Sequence, residues 1–574
     1  LPAKRPAQQT MNKDQNTQTA PVSKAQAAQH TATSPEEFDV IVVGAGFAGL
    51  YALYRLRRMG LKAVVLEAGE DIGGTWFWNR YPGARCDIES IEYSYSFSEE
   101  LQQEWEWTDR YAGQAEILRY IHHVADRFDL RRDIRINTFV NQAQFDPVAN
   151  RWQVATRNGQ YLRARFCLMG TGCLSNAKVP DAPGLDRFKG EWFHTGQWPK
   201  EGADFSGKRV GVVGTGSTGI QVIPFVAKEA AHLHVFQRTA NYSVPLRNRL
   251  LTAEEQKRVK SQYQQLREKA RYTPIGVAGF IVPDRGALDV TPQERERAFQ
   301  ERWDFGGIGF NRVFNDILFK EDANKLSRDF LIPRMLAVVN DPAVAAKLTP
   351  NYPVGTKRLC GDTGYFETYN RDNVTLVDIQ QAPITGITET GISTSDAHYE
   401  LDAIVFATGF DAITGALLSV NMEVKGGTDL RSKWSTGPSA YLGLMTAGLP
   451  NLFMITGPGS PSILANVVVS IEQHVDMIAD CLALMQAKGH NRVEADPQAE
   501  ADWAKHVDDL ANTSLMAQAK SWYTGANIPG KPRVFMPYMG GAGEFRKICN
   551  KIISDGFTGF VMKQVPEKAS ASTT

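Results

Sequence analysis

Two glycine-rich turns carry the clearest chemistry in this chain. Gly44-Ala45-Gly46-Phe47-Ala48-Gly49 and Gly214-Thr215-Gly216-Ser217-Thr218-Gly219 both fit G-x-G-x-x-G. In that pattern the first glycine makes a tight turn. The second lets a pyrophosphate reach backbone N–H groups, and the third lets helix and strand pack closely. Glu67 stands 23 positions after Gly44, where a carboxylate accepts hydrogen bonds from a ribose diol and repels a 2′-phosphate. Arg238 stands 24 positions after Gly214, where a cation suits a 2′-phosphate, and the neighbouring Thr239 adds a hydroxyl donor. The first turn therefore reads as a site for FAD, with NAD as second choice, and the second as a site for NADPH. The pairing implies electron flow from nicotinamide to flavin.

A further stretch runs from Gly73-Gly74-Thr75-Trp76 through Tyr81-Pro82-Gly83 to Cys86-Asp87. Its density of glycine, aromatic residues and proline suggests backbone lying against a flat ring, with Gly74, Thr75 and Trp76 at the contact. An aromatic loop packed between domains is the alternative. Asp87 is the carboxylate that ends this loop.

The elements that must position these residues are legible in the hydrophobic pattern. Phe38 to Val43 is a near-unbroken β-branched run, as a buried parallel strand requires. Leu50 to Met59 is helix-like, Gly60 suits its end, and Lys62 to Leu66 is a second strand. Lys208–Val213, Ile220–Glu229 and His232–Gln237 repeat that strand–helix–strand unit, with the first glycines 170 residues apart. The fold class expected is α/β, with two Rossmann-like dinucleotide-binding domains and a helical insertion in the second. The boundaries expected are a disordered tail over 1–34, an FAD domain from 35–175 and 400–560, an NADP domain from 176–248 and 352–399, a helical insertion over 249–351, and a C-terminal tail over 561–574. The chain opens at Leu1 with its first Met at 11, so either residues 1–10 read as added sequence or the start reads as trimmed.

Phe188-Lys189-Gly190-Glu191-Trp192-Phe193-His194-Thr195-Gly196-Gln197-Trp198-Pro199 fits F-x-G-x-x-x-H-x-x-x-W-P at every fixed position. With the Gly74–Asp87 stretch and Ala407-Thr408-Gly409-Phe410-Asp411, it makes the chain resemble the type I Baeyer–Villiger monooxygenases over about residues 36–555. The resemblance implies FAD, NADPH and O₂ as reactants with a small-molecule ketone. A flavin C4a-peroxide would attack the carbonyl and yield an ester or lactone. It implies Arg358 as the catalytic arginine, Asp87 as its partner carboxylate, and Lys357 as a second 2′-phosphate ligand. It implies Trp522 as a mobile-loop tryptophan closing over the cofactor, and Gly459–Ile463 as a pocket segment. Trp198 favours ketone oxidation over the alternative, a flavin monooxygenase acting on amines or sulfides. His194 reads as a residue ordering the interdomain connection rather than as a general base, and Trp198 as core or hinge packing.

Composition excludes several other classes. The 574 residues correspond to roughly three to four domain-sized units. Sixty-three basic residues balance sixty-three acidic ones, so nothing indicates the positive field that nucleic acid requires. Six cysteines, none in a C-x-x-C pair, argue for a reduced, cytoplasmic protein and against a disulfide reductase. No metal site, membrane span or required protein partner is expected.

Overall fold

The computed structural model describes residues 35–180, 182–280 and 282–566. The tail expected over 1–34 lies outside the described residues. From Glu37 onward the chain forms one compact unit.

Two sheets organise it. In the first, Glu36–Val43 lies between Tyr161–Met169 and Ala63–Leu66, and Ile134–Arg135 forms the far edge. The pair Val40↔Ala63 sets a parallel register. The side chains of Val40, Ile41 and Val42 are inaccessible to solvent, the burial on both faces that a parallel strand needs. On the other side, Val140–Asp146, Arg151–Thr156 and Tyr161–Met169 form an antiparallel meander. The chain later returns to this sheet with Asn421–Val424 and Leu452–Met454. The helices Phe47–Arg58 and Val467–Lys488 pack together over it within one apolar core.

The second sheet is wholly parallel, in the order Val374–Asp378, His232–Gln237, Arg209–Val213, Ala403–Phe406, Glu191–His194. The boundary expected at residue 400 is thereby corrected. Ala403–Phe406 is a member of the second sheet, paired on both sides, and the chain leaves for the first sheet only after it. A continuous apolar run such as Ala-Ile-Val-Phe announces a buried strand but not which sheet buries it.

The region expected as a helical insertion contains the helices Ala253–Lys260, Tyr263–Tyr272, Pro292–Phe305, Glu321–Leu336 and Pro342–Lys347. Two of them begin with reciprocal capping boxes, Thr252 with Glu255 and Thr291 with Glu294. Phe310 stacks on both Phe299 and Phe330, and all three join the same buried cluster as Val210, Val212 and Ile220 of the second module. The insertion thus shares a core with its host.

The C-terminal tail expected from residue 561 is also corrected. Phe560–Lys563 pairs antiparallel with Arg492–Ala495, and Phe560 and Met562 pack on the first core while Val561 faces out. Residues 567–574 lie outside the described residues. Among the described residues, no helix is long and apolar enough to cross a membrane.

The loop 79–88 ties the two modules together. The Tyr81 hydroxyl donates to Gln221 Oε1 at 2.7 Å, and Gln221 Nε2 donates to the Arg85 carbonyl at 3.0 Å. Gly83 sits between these contacts with φ +85, and a Cβ there would lie 2.5 Å from the Gln221 carbonyl and 2.5 Å from the Phe225 ring. Gly83→Ala is expected to lower unfolding stability by about 2–4 kcal/mol, from the left-handed backbone and the overpacking combined. Denaturant titration measures this directly, and an unchanged midpoint would refute it.

Candidate active site

Both glycine turns adopt one construction. Gly44 and Gly214 each donate their N–H to the end of the neighbouring strand, at Leu66 and Phe236. A Cβ on Gly49 would fall 1.8 Å from the Gly44 carbonyl, and one on Gly219 would fall 2.2 Å from the Gly214 carbonyl. Neither position tolerates any side chain. The helices Phe47–Arg58 and Ser217–Glu229 that follow have glycine N-caps, Gly46 and Gly216, and no side-chain cap. Their first N–H groups are left for an anion. The space beside Gly216 is empty within 4 Å of a built Cβ. Gly46 faces Gly74, whose own Cβ would meet the Gly46 Cα at 2.9 Å. Gly73, whose N–H donates to the Ala45 carbonyl at 3.0 Å, and Gly74 are thus held against the first turn, with Thr75 next in the chain. Trp76 is turned instead into the core, where its indole N–H donates to the Tyr93 hydroxyl at 3.2 Å.

Glu67 ends its strand buried. Its two oxygens accept from the Ala45 and Gly69 N–H groups at 2.6 and 2.7 Å, each keeping a lone pair for a further donor. Burial raises its pKa, and those backbone hydrogen bonds oppose the rise. These two acceptor oxygens fit the hydroxyls of an adenosine ribose at the first turn.

At the second turn, Arg238 is exposed and makes no ion pair among the described residues. Burial, and after it the charge of Arg238, lowers the pKa of both Lys178 and Lys357. Three cations thus crowd one place, which fits a dianionic phosphate. Thr239 adjoins them, its carbonyl accepting from the Thr215 hydroxyl. Ser217 Oγ contacts Cys360 Sγ at 3.1 Å, and the Thr218 hydroxyl bonds Tyr81.

Arg358 and Asp87, 271 positions apart, meet in a bidentate pair. Nε donates to Oδ2 at 2.9 Å, and Nη2 donates to Oδ1 at 2.7 Å. Nη1 donates to the Ile463 carbonyl at 2.8 Å. Burial alone would lower the guanidinium pKa. The Asp87 charge overrides that and holds it above its ordinary value. The Tyr523 hydroxyl adjoins the same guanidinium, and burial pushes this phenol up to about 12 against the pull of Arg358. Arg358 and Tyr523 both line a cavity of about 60 Å³, walled otherwise by residues such as Ile88, Phe280, Leu318 and Leu464. The site therefore offers fixed positive charge and a protonated phenol beside apolar walls.

His194 is fully buried, and burial lowers its pKa to about 4, so it is neutral. Its Nδ1 accepts from the Gly196 N–H, and Nε2 lies 3.3 Å from the Thr408 hydroxyl, which donates to the Lys178 carbonyl. It thus joins the two segments by which the chain crosses between the sheets. Those segments also pair with each other, through Lys178 N–H to Gly409 O and Asp411 N–H to Asn176 O, both 2.9 Å. Trp198 packs against Phe193 and Phe205. Trp522 packs against the cluster of Ala412, Ile413 and Met536, as Ile463 does. The loop that carries it is fastened by Lys531 to Asp411, Asn527 Nδ2 to the Phe410 carbonyl, and Lys178 to the Asn527 carbonyl. The six cysteines are all free.

Sequence reasoning missed Lys178, Tyr523 and Gln221. Only Gln221 left a trace there, as a polar residue on the otherwise apolar face Ile220–Val226.

The sequence model of the flavin-binding monooxygenase-like family matches residues 38–248. A Baeyer–Villiger monooxygenase of Pseudooceanicola batsensis is 41% identical over 545 residues, 94% of this chain and 99% of that protein. Among solved structures, a steroid monooxygenase bound to NADP is 49% identical with a TM-score of 0.88, covering 92% of this chain and all of its own. A cyclohexanone monooxygenase of Rhodococcus sp. Phi1 bound to NADP⁺ is 41% identical with a TM-score of 0.90, covering 93% and 100%.

Proposed function

The chain belongs to the type I Baeyer–Villiger monooxygenases, and from that membership we propose that it converts a ketone, O₂, NADPH and a proton into an ester or lactone, NADP⁺ and water. The observation that carries this reading is the Arg358–Asp87 pair at the cavity wall. Bound FAD would supply two-electron transfer from NADPH and the activation of O₂.

The residues have distinct tasks. The amides after Gly46 would hold the FAD pyrophosphate, Glu67 would accept from its ribose diol, and Gly74 and Thr75 would bring backbone close to it. The amides of Ser217, Thr218 and Gly219 hold the NADPH pyrophosphate. Arg238, Thr239 and Lys357, joined by Lys178, take the 2′-phosphate. Trp522, on its fastened loop, shields the nicotinamide side from water. Arg358 cannot release its proton, so it gives charge without entering the proton inventory. Part of its fork is spent on Asp87 and on Ile463. A further N–H bonds the Tyr523 oxygen, and this pair of groups would turn to the ketone oxygen as negative charge develops there, an interaction worth about 3–4 kcal/mol in the transition state. Tyr523, kept protonated, is a hydroxyl donor beside it.

Purified enzyme supplied with FAD, NADPH and O₂ is expected to form ester or lactone from members of a ketone panel. Oxidation of amines or sulfides alone, with no carbonyl insertion, would replace this reading by heteroatom oxidation. Arg238→Ala is expected to raise KM for NADPH by roughly ten- to a hundredfold while leaving KM for NADH nearly unchanged. Equal losses with both cofactors would remove the phosphate role.

A further inference from the structure

The cavity beside Arg358 has a second guanidinium on its wall. Arg312 ends the short helical turn Ile308–Arg312 and lines the same space. Among the described residues it has no hydrogen-bond, ion-pair or aromatic partner. Three other arginines of this region have partners. Arg302 lies over the Phe305 ring, Arg267 donates to Ser94, and Arg110 pairs with Glu89. No Asp or Glu lines the cavity, and most of its wall is apolar. The other two cations there are accounted for: Arg358 by Asp87, and Lys357 by its place beside Arg238. Burial lowers the Arg312 pKa and no opposing charge restores it.

A half-buried guanidinium in an apolar cavity is held at a cost unless an anion meets it. Its planar fork matches a carboxylate bidentately. We infer that Arg312 is a specificity-determining residue that receives an anionic oxygen group of the substrate, so that the preferred ketones carry a carboxylate remote from the reacting carbonyl. This rests on the ketone-oxidation reading above and names its substrate class. The apolar residues that line the cavity with the two arginines suit a hydrocarbon part of such a substrate.

The test uses holoenzyme and matched pairs of cyclohexanones. Each pair has an alkanoate chain at the 4-position, short, medium or long, as the free acid and as its methyl ester. At least one acid is expected to exceed its ester in kcat/KM by about tenfold or more. Arg312→Met is expected to erase that preference through KM, leaving ester turnover and KM for NADPH as they were. Arg312→Lys restores part of it. Acids handled no better than esters by the unaltered enzyme would overturn the inference. So would equal loss on both substrates in a folded Arg312→Met enzyme, or a shift confined to KM for NADPH, which would give Arg312 to the cofactor. If no ketone of the set, neutral or charged, yields a lactone, the ketone-oxidation reading itself has failed. Lactone from the neutral esters with no acid preference removes only the role of Arg312.

Discussion

Replacing Arg358 by alanine is expected to lower ester formation by about two to three orders of magnitude, while NADPH still delivers its electrons. Among the described residues the side chain makes no hydrogen bond or ion pair with the glycine turns, so cofactor binding at those turns and flavin reduction are expected not to depend on it. What is lost is the fixed charge at the cavity wall. Oxygen is still consumed, but it leaves as hydrogen peroxide, with one O₂ and one proton taken up per NADPH. Lysine does not rescue the loss, because a single ammonium cannot bond both Asp87 oxygens, reach the Ile463 carbonyl and present a further N–H to the ketone. The measurement is ester formed per NADPH oxidised, alongside stopped-flow flavin reduction. Normal ester output from the alanine enzyme would remove Arg358 from the chemistry. Loss of flavin reduction as well would make its role one of assembly.

Asp87→Ala should show the same signature in weaker form. The guanidinium keeps one anchor, the Ile463 carbonyl, and loses the two-pronged contact that fixes its plane. Ester per NADPH is expected to fall roughly ten- to a hundredfold, because a misaimed donor still supplies charge. Stability falls too. Breaking a fully buried pair costs about 3–5 kcal/mol, but both side chains here are 24% exposed, so solvent screening reduces the expected loss to about 1–3 kcal/mol. Asp87→Asn keeps the shape and one acceptor and should fall between. An uncoupling ratio equal to that of the unaltered enzyme would show that Arg358 needs no such partner. A midpoint shift without uncoupling would confine Asp87 to stability.

What was legible before the structure was whatever local pattern dictates. The units around Gly44 and Gly214 combine a β-branched run, a steric demand for glycine and a helical period, so three independent constraints agree. Arg358 and Asp87 were legible through resemblance, not spacing, since 271 residues separate them. Ala403–Phe406 was recognisable as a strand, but its sheet was not, because parallel partners are chosen by tertiary packing. Val561 and its neighbours looked like a tail, because a short edge strand alternates in and out and carries too few apolar residues to stand above loop sequence. Lys178 is a lone lysine in a crossover, and only the folded chain brings it to Arg238. The Ile463 carbonyl that anchors Nη1 is a backbone atom, which no residue type could have announced.

The two segments that cross between the sheets, at 176–178 and 409–411, run side by side and are bonded to each other. Mechanically they form one ribbon. Two separate strings would leave the halves free to slide, shear or part, each along its own path. A hydrogen-bonded ribbon stiffens against shear and stretching and keeps its compliance for bending and twist about its own axis. The buried His194 sits at its root as a bushing. Any relative motion of the two nucleotide modules must therefore bend or twist this ribbon rather than stretch it.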